Sequence, residues 1–81
     1  MKARITITLK SGVLDPQGKA IENALHGLGF DNTNQVRQGK IIDLDLDESD
    51  EATARTKLEA MCAKLLANPV MENYHIDFPG E

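Results

Sequence analysis

With 81 residues, nine lysines and arginines and 13 aspartates and glutamates, the chain reads as one domain, residues 1–81, of net charge −4. That balance argues against a nucleic-acid or anionic-membrane surface, no apolar run approaches a membrane span, MKARITITLK lacks a signal peptide's apolar stretch, and the single Cys62 excludes an internal disulfide or a zinc cage. A chain this short buries only about 60% of the surface its unfolded form exposes, so a soluble cytoplasmic domain that pairs with another copy or another protein is expected.

Ala3 to Leu9 alternate strictly, with Ile5, Ile7 and Leu9 on one face and Arg4, Thr6 and Thr8 on the other, which predicts a half-buried strand. A loop through Ser11 and Gly12 leads to LDPQGKAIENAL at 14–25, where Asp15 is a good N-cap and Pro16 suits the first helical position. Ala20, Ile21, Ala24, Leu25 and Leu28 make one stripe at helical spacing. Gly29 then reads as the glycine after the cap, with Phe30 folding back onto the last turn. Gly18 is the anomaly, because a glycine there weakens the helix by about 1 kcal/mol relative to alanine. A bound phosphate does not explain it: there is one glycine, a proline without an N–H, and a carboxylate already on the cap. Two explanations stay open, a close approach by another chain or element and a glycine the helix merely tolerates.

Asp31 to Asn34 form a polar loop, and Gln35–Gln38 and Lys40–Leu46 read as two strands joined around Gly39. A two-residue turn would place Val36 on the face of Ile41, and a three-residue turn with Gly39 left-handed would place it with Ile42; the sequence does not choose. The acidic run 47–51 opens a second helix with Ser49 or Asp50 as cap. Its stripe is Ala54, Leu58, Met61, Cys62, Leu65 and Leu66, and Asn68-Pro69 ends it. Val70 to Phe78 make the last strand, with Tyr74, Ile76 and Phe78 on one face. The order βαββαβ predicts an α+β fold of ferredoxin-like type, two helices on one face of a four-stranded antiparallel sheet.

No cluster of residues offers chemistry of its own. An RNA-binding sheet would carry aromatics on its third strand, which here reads KIIDLDL. A metal chaperone would carry two cysteines in the first loop, where Gly12-Val13-Leu14-Asp15 stand. Asp43, Asp45 and Asp47 share a face but miss the calcium-loop pattern at Glu48 and Ala54, and read as a solvated strand face. Cys62 lies on an apolar stripe and reads as a buried thiol. His26 and His75 have no sequence partner that suggests a catalytic pair. The expected catalytic, cofactor-binding and metal-binding residues are therefore none.

Three stretches together resemble one family: Leu14-Asp15-Pro16-Gln17-Gly18, then Val36-Arg37 with Gly39-Lys40, then Cys62-Ala63-Lys64-Leu65-Leu66-Ala67-Asn68-Pro69-Val70 with Glu72 and Tyr74. In order and at this spacing, along essentially the whole chain, they are similar to PurS, the small subunit of phosphoribosylformylglycinamidine synthase. The resemblance implies a dimerising, non-catalytic subunit that bridges a PurQ-type glutaminase and a PurL-type synthetase and assists the passage of ammonia. It also implies that this chain binds no cofactor, ATP and magnesium being used by the large subunit. Asp15, Gln17, Gly18, Arg37, Gly39 and Lys40 are the candidate subunit contacts. A function of another class, a ferredoxin-like small-molecule-sensing regulatory module, remains the alternative, and dimer against tetramer is open.

Overall fold

Residues 1–80 are described in the structure, a computed structural model. The alternating first strand, β1 (Lys2–Leu9), is its centre: Ala3, Ile5 and Ile7 are buried, and antiparallel neighbours flank it on both edges. β2 (Gly39–Asp45) pairs with one edge, Ile42 opposite Ile5, and β3 (Glu72–Asp77) with the other, Ile76 opposite Ile5. The sheet order is β2-β1-β3.

One face of this sheet is covered by α2 (Glu51–Met61), which presents Ala54 and Leu58 inward. Asp50 caps it, its carboxylate accepting the Thr53 N–H at 2.9 Å and the Thr53 hydroxyl at 2.6 Å, while Glu51 suits the positive end of the helix dipole. The helix then changes pitch. Cys62–Leu66 form a π-helical turn, closed by the Ala67 N–H on the Cys62 carbonyl at 3.0 Å. The buried series Ala54, Leu58, Cys62 therefore continues five residues on at Ala67, and Leu65 turns out to 83% exposure. The regular α-helical period that places Leu65 on the apolar stripe is broken by that one extra residue. Cys62 is wholly enclosed, and burial pushes its thiol pKa up, with Glu59 adding to the shift.

α1 (Pro16–Gly27) begins and ends as its sequence dictates. Pro16 takes the first position and Asp15 the cap. At the other end the Phe30 N–H reaches the Leu25 carbonyl and the Gly29 N–H the His26 carbonyl, both at 3.0 Å, with Gly29 at φ +99°, a Schellman stop.

The α+β class and the antiparallel sheet with two helices hold, but two details differ from the sequence expectation. The sheet has three strands, because Gln35–Gln38 is extended chain without a strand partner, and there is no hairpin at Gly39, so neither turn register applies. The helices also do not share the sheet face. The core of Ala3, Ile5, Ile7, Leu58, Cys62, Ala67 and Ile76, with the partly buried Ile42, Leu44, Leu46, Met61, Leu66 and Phe78 against it, takes nothing from α1. The described residues span 48 × 30 × 14 Å with a radius of gyration of 16.0 Å, where a compact chain of this length has about 12 Å. α1 and the segment after it form an arm beyond the end of the sheet.

Candidate subunit-contact site

The arm is held together by one face of α1. Asp15, Gly18, Glu22 and His26 follow one another at three- and four-residue intervals, so they lie in a row along the helix. Each meets the backbone of the extended segment 33–38. The Asp15 carboxylate accepts the Gly18 N–H at 2.8 Å and, with its other oxygen, the Gln38 N–H at 2.7 Å. Glu22 accepts the Val36 N–H at 3.1 Å while its second oxygen stands 3.4 Å from the Lys19 ammonium. The His26 Nε2 lies 2.7 Å from the Thr33 carbonyl oxygen, which can only accept, so this nitrogen carries the hydrogen. Gln35, at φ 55°, makes the bend that admits the segment.

These contacts explain why Gln35–Gln38 joins no ladder. A strand directs alternate N–H groups to one edge, and those of Val36 and Gln38 are already taken by two carboxylates. They also answer the question of Gly18. A Cβ at this position would lie 2.5 Å from the Val36 carbonyl oxygen and 2.8 Å from an Asp15 carboxylate oxygen. The visitor is another element of the same chain.

Arg37 crosses the same place. Its guanidinium donates to the Lys10 carbonyl at 3.2 Å and stands 3.9 Å from Asp15. The Gln38 and Gly18 N–H groups hold the Asp15 carboxyl below the ordinary aspartate value of 3.8, with Arg37 adding to them. The Val36 N–H does the same to Glu22 from 4.5, helped by Lys19. Both groups bind a proton more weakly folded than unfolded, so their contribution is complete above about pH 4.5 and is lost as the pH falls through the depressed folded values. Urea unfolding followed from about pH 6 to about pH 2 should show stability falling in that acid window. In Asp15→Asn the acid limb should flatten, since the amide does not titrate and the lowered Asp15 carboxyl no longer contributes to the slope. An unchanged slope in that variant would remove Asp15 from this account.

The six residues expected as subunit contacts divide into two kinds. Asp15 and Gly18 are buried inside the clasp. Gln17, Gly39 and Lys40 line an open groove with Gln38 and Glu72 at the end of the sheet, and Arg37 is half exposed beside it. Gly39 pairs with Thr8 and leaves no room for a side chain, a Cβ there falling 2.5 Å from the Ile7 carbonyl oxygen. Glu22 and His26 complete the clasp, although the sequence singled out neither as a contact and His26 was weighed only for a catalytic pair; their signal was the spacing from Asp15 and Gly18 on a helix whose apolar stripe runs along another face. The strand carboxylates are otherwise occupied: Asp43 makes a two-point pair with Arg4 at 2.8 and 3.2 Å, and Asp45 meets the amino terminus at 3.2 Å.

Comparison with known proteins places these features in a family. The family profile described as "PurS: Phosphoribosylformylglycinamidine (FGAM) synthase" matches residues 2–80. The chain is 54% identical over 71 residues to the phosphoribosylformylglycinamidine synthase subunit PurS of Synechocystis, covering 88% of this chain and 71% of that protein. The crystal structure of Methanocaldococcus jannaschii PurS, one of the subunits of formylglycinamide ribonucleotide amidotransferase in the purine biosynthetic pathway, superposes with a TM-score of 0.85 at 46% identity, covering 94% of this chain and 92% of that one. A chain in the structure of PurLQS from Thermotoga maritima gives a TM-score of 0.85 at 32% identity, over 94% and 93% of the two chains.

Proposed function

The chain belongs to the PurS family, and from that premise we propose that it serves as the non-catalytic bridge between the other subunits of phosphoribosylformylglycinamidine synthase. It is a subunit of that synthase in purine biosynthesis, and its partners are a PurL-type synthetase and a PurQ-type glutaminase subunit. The observation that carries this is the likeness along nearly the whole chain to a chain in PurLQS. Family membership favours an assembly subunit over a metabolite sensor.

The chemistry of the chain supports a role without catalysis. Asp15, Glu22, Asp43, Glu48 and Asp50 are each held in a hydrogen bond or ion pair that lowers the carboxyl pKa, the reverse of what a general acid needs. The Cys62 thiol is enclosed and its pKa is raised, which suits packing rather than nucleophilic attack. In this reading ATP, magnesium and glutamine are handled by the larger subunits, and this chain helps ammonia pass from one to the other. Gln17, Arg37, Gly39 and Lys40 offer the contact surface, where Arg37 can clamp a carboxylate with two hydrogen bonds, and Asp15 and Gly18 hold that surface in shape.

Reconstitution with PurL- and PurQ-type subunits tests this. Glutamine-dependent formation of formylglycinamidine ribonucleotide should require the chain, whereas synthesis from added ammonium should proceed without it. ATP hydrolysis or ammonia release by the isolated chain, or a glutamine-dependent rate indifferent to its presence, would refute the bridging role.

A further inference from the structure

The arm joins the sheet by two crossings of the chain, and each carries a glycine. On one side β1 runs into residues 11–14, a turn closed by the Val13 N–H on the Lys10 carbonyl at 3.1 Å, with Gly12 at φ +87° and open space around it. On the other side there is no slack. The Gln38 N–H is bound to Asp15 inside the arm, while Gly39, the next residue, is already paired with Thr8 and lies hard against the Ile7 carbonyl. A chain that leaves a clasp and enters a ladder within one peptide unit keeps only the two torsions that flank that planar unit. Within the arm, the bonds from Asp15, Glu22 and His26 hold α1 to segment 33–38 as one piece, and the core takes nothing from α1. Arg37 crosses from the arm to the end of the sheet. Its Nη2 donates to the Lys10 carbonyl at 3.2 Å, and the Lys10 N–H is held in turn by the Met71 carbonyl at 2.8 Å, so Arg37 grips a point fixed to the turn before β3.

We propose that the arm is hinged: it turns as one body about the Gln38–Gly39 peptide, and Arg37, by gripping the Lys10 carbonyl, sets its angle to the sheet. Arg37 is then a positioning residue. Hinges are a few residues at the ends of elements that absorb a change in torsion, and both crossings meet that description. The angle has a consequence, because the groove of about 240 Å³ at the end of the sheet is built from both bodies. Gln17 and Gln38 line it from the arm, and Ile7, Leu9, Lys40 and Glu72 line it from the sheet. Turning the arm widens or narrows it. Only this use of the groove rests on the subunit-contact reading above; the hinge itself goes beyond that reading and stands without it. The chemistry of the grip also separates it from a clamp on a partner. One hydrogen bond to a carbonyl, beside a loose 3.9 Å pair with Asp15, is within reach of an ammonium as well as a guanidinium, whereas a two-point carboxylate clamp needs arginine.

Nitroxide labels at Asn23→Cys on α1 and Asn73→Cys on β3 test the hinge in the full chain, diluted with unlabelled chain and free of any partner subunit. Both positions are exposed, and the enclosed Cys62 stays unlabelled. Pulsed dipolar spectroscopy should give a narrow distance distribution while Arg37 is in place. Arg37→Ala should broaden it at least about two-fold. Circular dichroism and the protection of the Val36 and Gln38 amides should stay as in the parent, because the arm turns without coming apart. Arg37→Lys should return the distribution to its narrow form. A parent distribution that is already broad overturns the proposal. So does an Arg37→Ala distribution that stays narrow, whether the neck is stiff without the grip or a second copy holds the arm. Broadening with rapid exchange at Val36 and Gln38 overturns it too, since the arm then unravels, as does an Arg37→Lys distribution as broad as that of Arg37→Ala. Glutamine-dependent synthesis by the reconstituted subunits is a separate measurement, so the bridging role and the hinge stand or fall independently.

Discussion

Gly18→Ala should loosen the arm, although alanine is the better helix former by about 1 kcal/mol. The added methyl group falls 2.5 Å from the Val36 carbonyl oxygen, a backbone atom that cannot swing aside as a side chain would. Relief requires the segment to move off α1, which breaks the Gln38 and Val36 hydrogen bonds to Asp15 and Glu22. Overpacking of this kind costs about 1–3 kcal/mol, so exchange of the Val36 and Gln38 amides with solvent hydrogen should quicken by roughly 5- to 150-fold while the amides of β1 change little. Assembly with the partner subunits should weaken with it. Unaltered protection at both amides would mean that the contact gives way without cost, and glycine at 18 would then need no steric reason.

Leu58→Ala should have the largest effect on the sheet itself. Leu58 is fully buried on the helix face that covers β1, in a core whose other fully enclosed large side chains are Ile5, Ile7 and Cys62. Truncating a buried leucine costs about 2–5 kcal/mol, which in a domain of this size lowers the melting temperature by roughly 10–25 °C. Leu65→Ala offers the contrast, being on the same helix yet exposed. It should change stability by no more than about 0.5 kcal/mol. Equal losses at 58 and 65 would place both on the core side and contradict the π-helical turn between them.

Much of this architecture was legible in the residues. β1 was readable from strict alternation, the start of α1 from Asp15-Pro16, its end from Gly29, and α2 from Asp50 and the Ala54–Leu58 spacing, because each follows from local geometry over a few residues. Leu65 was misplaced since a period of 3.6 does not announce an inserted residue. The fourth strand failed for a long-range reason: Gln35–Gln38 has strand composition, but carboxylates 14 and 23 residues earlier take its alternate N–H groups. Of the candidate site, Gly18 was rightly picked out as needing an explanation. That its neighbour is Val36 depended on tertiary placement, and the parts of Glu22 and His26 followed from that placement too.

The central position of β1 bears on how the chain is made. β1 is paired on one side with residues 39–45 and on the other with residues 72–77, so half the sheet waits until β3 has been synthesised. Ile5 and Ile7 share one core with Leu58, Cys62, Ala67 and Ile76, so that core is not complete until then. Contacts so distant in sequence close slowly. Apolar strand surface exposed through that interval invites wrong partners.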